Sequence, residues 1–106
     1  MREVKEFIDE HLKERLPSLG ELSKMFDTTP STLKRKFKRR YGESIYNYFL
    51  TRKMKLAEEM LQTARMVQDV CYELGYENLS HFAMNFKRHT GKYPKEYIKV
   101  NTSHNG

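Results

Sequence analysis

The sequence predicts an all-α fold, with seven helices forming two helix-turn-helix units joined by a long linker helix. Three observations lead there. Apolar residues recur roughly every three to four positions along most of the 106-residue chain, and no stretch shows the strict alternation of a half-buried strand. Serine, threonine, asparagine, proline and glycine stand at the joints between those stretches, where helices need caps and turns. The two halves also repeat each other. Leu33, Phe37, Lys38, Arg39 and Gly42 return as Phe82, Phe86, Lys87, Arg88 and Gly91, each 49 positions on, whereas Leu22, Ser23, Phe26 and Asp27 return as Val70, Cys71, Leu74 and Gly75 after 48. The second turn therefore holds one residue more than the first.

Each element has its own local reason. Val4, Phe7, Ile8, His11 and Leu12 recur at helical spacing among Glu and Lys, and Pro17 ends that first segment. Ser18 caps a short helix from Leu19 to Phe26, and Glu21 three residues later completes a capping box. Asp27 to Pro30 supply a turn and a restart. The third helix runs from about Pro30 to Tyr41, with proline tolerated in its first turn and Gly42 fit for a left-handed C-cap. Ser44 caps the linker helix, whose apolar stripe is Ile45, Tyr48, Phe49, Leu56, Ala57, Met60 and Leu61. Val67, Val70, Cys71 and Leu74 share one face of the fifth helix, and Gly75 leaves it sharply. Asn78 caps the sixth, anchored by Leu79, Phe82 and Phe86 up to Gly91. A last short helix around Pro94 to Lys99 buries Tyr97 and Ile98 ahead of a frayed tail, 100–106.

The net charge of +6 is unevenly placed: residues 1–29 carry −2, residues 30–55 carry +8 and residues 56–106 carry 0. Lys34, Arg35, Lys36, Lys38, Arg39 and Arg40 fall inside a helical pattern with Leu33 and Phe37, so the excess sits on a folded basic helix. Such a helix points to a polyanion, of which nucleic acid is the commonest inside a cell.

A lone cysteine excludes an internal disulfide, and no Cys/His cluster has zinc spacing. No cofactor or metal is expected. Cys71 reads as a core thiol rather than a nucleophile, and no phosphate loop, carboxylate pair or triad supports an enzyme. The charged N-terminus lacks the apolar core of a signal peptide, and no run of apolar residues could span a membrane, so a cytoplasmic location is expected.

The run LGYENLSHFAMNFKRHTGKYPKEY, preceded by KMKLAEEMLQ and STLKRKFKRRYGESIYNYF, resembles the DNA-binding domain of the AraC/XylS family of bacterial transcription regulators. The resemblance covers residues 4 to 99, and its most specific part is Gly75, Tyr76, Phe82, Phe86, Lys87, Gly91, Pro94 and Tyr97. It implies one DNA-binding module over 1–106, with a first unit at about 4–42, a linker at about 44–61 and a second unit at about 66–99. It also implies double-stranded DNA and RNA polymerase as partners, an N-terminal sensor or dimerisation domain in members that carry one, and a place at the bacterial nucleoid. A linker of about 18 residues is on the order of 27 Å long, against about 34 Å between successive major grooves.

Within the third helix, Ser31, Lys34, Arg35 and Lys38 lie opposite Leu33 and Phe37. By motif position Ser31, Lys34 and Arg35 resemble the family's base-contacting residues, and Arg35 offers a planar fork to guanine. Lys36, Lys38, Arg39 and Arg40 suit phosphates. Moving that stripe by 49 lands on Ser80, Ala83, Met84 and Lys87, so the places of Lys34 and Arg35 are taken by Ala83 and Met84, the latter where the family has arginine. Neither makes a bidentate pair, so readout there is weak unless Ser80, His81 or Asn85 supplies it. The expected base contacts are Ser31, Lys34, Arg35, Ser80, His81 and Met84, and the expected phosphate contacts are Lys38, Arg39, Lys87 and Arg88. Arg52, Lys53 and Lys55 of the linker read as solvated charges. The competing function is an architectural or largely non-specific nucleic-acid binder.

Overall fold

A computed structural model of the chain describes residues 1–63 and 65–96. The described residues form helices α1 (Arg2–Glu10), α2 (Leu19–Met25), α3 (Pro30–Tyr41), α4 (Ile45–Leu61), α5 (Val67–Glu73) and α6 (Leu79–Thr90), and a seventh helical segment, α7, begins at Pro94. Tyr97, Ile98 and the tail expected to fray lie outside the described residues. The chain divides into two compact units, 1–49 and from Leu50 onward, with α4 running through the division.

In the first unit, α1 buries Val4 and Ile8, and the expected extension toward Pro17 does not form. His11 leaves helical geometry at φ −123°, and its Nδ1 donates to the Phe7 carbonyl at 2.6 Å while its ring stacks on Phe7. The side chain thus satisfies a carbonyl that another helical turn would have used. Ser18 and Glu21 make the capping box, with Ser18 Oγ accepting from Glu21 N at 3.1 Å and Ser18 N donating to Glu21 Oε1 at 3.0 Å. Between α1 and α4, Tyr48 donates to Asp9 at 2.7 Å, and Lys5 pairs with the other Asp9 oxygen at 3.0 Å.

The repeat extends to individual hydrogen bonds. At the end of α2, Thr28 N donates to Ser23 O at 2.9 Å and Asp27 N to Lys24 O at 3.4 Å. At the end of α5, Tyr76 N donates to Cys71 O and Gly75 N to Tyr72 O, both at 3.1 Å. Both are Schellman closures, in which the residue after the cap turns left-handed: Asp27 at φ 51° and Gly75 at φ 87°. Asp27 is among the few residues with a side chain that tolerate this region. Thr28 matches Tyr76 and Thr29 matches Asn78, so the extra residue of the second turn is Glu77. Ser23 and Cys71, both buried, keep the paired helices close, and Ser23 satisfies its hydroxyl on Gly20 O at 2.8 Å. α2 packs on α3, and α5 on α6.

Phe37 in α3 and Phe86 in α6 are completely buried at equivalent places. Phe37 lies against Tyr41 and Tyr48, while Phe86 joins Met54, Ala57, Met60, Leu61, Val70, Cys71, Leu74 and Phe82 in the core of the second unit. Leu56 packs on that core from its edge, and the linker also buries Leu50 and Met54, which the expected stripe omitted.

Candidate nucleic-acid interface

α3 starts on a built cap: Thr29 Oγ1 accepts from Thr32 N at 3.3 Å, and Pro30 takes the position where a missing N–H costs nothing. It ends at Gly42, left-handed at φ 79°, whose N–H returns to Lys38 O at 2.7 Å. With Leu33 and Phe37 buried, rotation about the helix axis is fixed, and the opposite stripe has to face solvent. Ser31, Lys34, Arg35, Lys38 and Arg39 together line one surface depression. Lys36 and Arg40 are exposed as well, the Arg40 guanidinium 5.9 Å from the Tyr41 ring centre.

α6 repeats the scaffold and changes the surface. Asn78 Oδ1 accepts from His81 N at 2.8 Å, and Gly91, at φ 84°, returns its N–H to Lys87 O at 2.9 Å. Ser80, His81, Met84, Lys87 and Arg88 are exposed, and Ala83 is half-buried. The His81 ring meets Tyr76 edge-on at 5.4 Å. Lys87 lies back along the helix end, its Nζ 3.2 Å from Gly91 O and 5.0 Å from the Tyr93 ring centre. His89 is held below the usual histidine range by partial burial and then by neighbouring Arg88, so it adds little charge at neutral pH. α6 is therefore much less cationic than α3.

Three expectations about side chains change. Leu79 does not anchor α6 but is 41% exposed, as the first residue of the helix. Asn85 is only 7% exposed, and its Nδ2 donates to Tyr76 Oη at 3.0 Å, so its amide is committed inward and is withdrawn from base reading. Lys53 is not a solvated charge. It is 5% exposed, its Nζ donates to Leu74 O at 2.8 Å, and it stands 5.2 Å from the Tyr76 ring centre. Burial pushes its ammonium down to about 8. A cation on the carbonyl that closes α5 is also favoured by the helix dipole. The sequence carries one signal for this: Lys53 falls between Phe49 or Leu50 and Ala57 in the apolar register of α4. Cys71 is buried, and burial raises its thiol, so it stays protonated.

Two Schellman turns, each feeding a capped helix with one solvent-facing stripe, define a tandem helix-turn-helix domain. A family model for the helix-turn-helix domain matches residues 22–99, and the chain belongs to this family, which is of AraC type and non-enzymatic. The chain is similar to the uncharacterized HTH-type transcriptional regulator YdiP of Escherichia coli, 31% identical over 98 residues that make up 92% of this chain and 32% of that protein. It thus spans about a third of that relative's length. The C-terminal domain of AraT, a response regulator from Geobacillus stearothermophilus, has the same fold, with a TM-score of 0.86 at 22% identity over 93% of this chain and 83% of that one. A probable AraC family transcriptional regulator from Rhodopseudomonas palustris gives a TM-score of 0.78 at 22% identity, over 94% of both chains. No helix among the described residues is long and apolar enough to cross a membrane.

Proposed function

We propose that this chain binds double-stranded DNA sequence-specifically and through that binding regulates transcription. The observation that carries the reading is the α3 surface, where Ser31, Lys34, Arg35, Lys38 and Arg39 line one depression on a helix whose opposite side is locked by Leu33 and Phe37. Cationic side chains on a rigid helix of this size suit a major groove, in which bases are told apart by their donors and acceptors. Arg35 is the bidentate reader of a guanine, with Ser31 and Lys34 beside it. Lys38 and Arg39 hold phosphates and set the register. In the second unit Ser80, His81 and Met84 face the bases, while Lys87 and Arg88 hold the backbone.

As a single module over 1–106, the chain serves as the DNA-reading part of a regulator acting in the bacterial cytoplasm at the nucleoid. RNA polymerase and an N-terminal sensor or dimerisation domain complete that assignment. Selection from a pool of random duplexes tests the DNA reading. An enriched motif bound about 10³-fold or more tighter than unrelated duplex is expected. Equal affinity for selected and unrelated duplexes would leave only a non-specific binder.

A further inference from the structure

Beyond the core, α6 leaves apolar surface exposed at Leu79, at 41%, and at Met84, at 62%, with Ala83 half-buried between them in sequence. Met84 lies on the same stripe as Ser80 and Lys87, in register with Arg35 of α3. Two polar side chains near Met84 point elsewhere, which leaves Ser80 and His81 as the polar groups of this stretch. Asn85 is turned inward onto Tyr76, and Lys87 leans over Gly91 and Tyr93 at the far end of the helix.

We infer that α6 reads thymine methyl groups, with Met84 as the specificity-determining residue and Ala83 beside it. The inference rests on the DNA-binding reading above and names what its second half-site contains. Thymine is the one base that offers the major groove a methyl group, at C5, whereas the other base edges offer donors and acceptors. Covering a polar edge with a methionine side chain strips its water and returns no hydrogen bond, since the thioether is at most a weak acceptor. Covering a methyl group removes apolar surface from water on both partners. The same surface therefore penalises guanine and cytosine and favours thymine, and Ser80 can pair with whichever edge lies beside it. The two recognition helices then use different chemistry: α3 a charged fork, α6 an apolar contact.

The test uses the selected duplex with each thymine replaced in turn by uracil, which removes the methyl group and leaves the pairing unchanged. The half facing α6 is the half whose preferences survive Arg35→Ala. There, one or more single replacements should weaken binding about threefold each. Met84→Ser should bind thymine and uracil duplexes equally, and Met84→Leu should keep the discrimination. Because Met84 is exposed, unchanged thermal melting of both variants checks that they fold. Indifference to uracil throughout that half would overturn the inference, as would a Met84→Ser protein that still requires the methyl group, the result expected if Met84 served a protein partner instead. Either outcome leaves an enriched motif intact and the DNA-binding reading standing. A selection with no enriched motif removes both.

Discussion

Lys53 shows how a side chain's environment overrides its type. Lysine on a helix is usually solvated, yet here the ammonium is buried against the Leu74 carbonyl and the face of Tyr76. With burial holding Lys53 at about 8 while the unfolded chain keeps it near 10.5, both states are protonated below pH 8. Between about 8 and 10.5 the unfolded chain holds a proton that the folded chain has released, so folding becomes more favourable as pH rises through that window. Urea melts at pH 7.5 and pH 10 should therefore show the native protein gaining stability relative to Lys53→Met, by on the order of 2 kcal/mol. A difference between the two proteins that does not change with pH would mean that Lys53 titrates as an exposed lysine does.

At the scale of elements, what was legible in the sequence was local chemistry. Ser18 with Glu21, Thr29 with Pro30, Asn78, and the glycines at 42 and 91 each place a helix end through bonds within a few residues, and each does so in the structure. The depression-lining face of α3 was legible for the same reason, because Leu33 and Phe37 fix the helix rotation. What escaped depends on neighbours distant in sequence or on choices between equally local partners. Asn85 stands at the place that the exposed Lys36 holds in α3, and its bond to Tyr76, a residue of the preceding turn, is not visible in the helical period. Leu79 fits an apolar period, but it begins the helix before the core is reached. His11 continues the α1 period and instead closes the helix on Phe7. The equivalence of Phe37 and Phe86 yields a direct check. Replacing either with alanine should cost about 3 to 5 kcal/mol, a large part of the stability of a domain this size. A loss below about 1 kcal/mol in both urea melts would refute the core assignment.

Across the whole molecule, charge is concentrated on one helix: the +8 of residues 30–55 is largely the exposed side of α3. Each neutralised phosphate releases counterions, so affinity for any duplex should fall with salt at a slope set by how many phosphates the protein holds. Changing Lys38, Arg39 and Lys87 together to alanine should weaken binding to all duplexes alike and flatten that slope by about one unit for each phosphate no longer held. An unchanged slope would remove these three from the backbone-binding set. The repeat gives both units the same turn and core, while the substitution of Ala83 and Met84 for Lys34 and Arg35 gives them different surfaces. Whether α3 is the polar base reader is decided by selection from random duplexes, carried out in parallel with the native chain and with Arg35→Ala. The native motif should contain a sharply preferred guanine which Arg35→Ala loses, at a cost of about 1 to 3 kcal/mol, with the remaining positions unchanged. Identical motifs from the two proteins would contradict it.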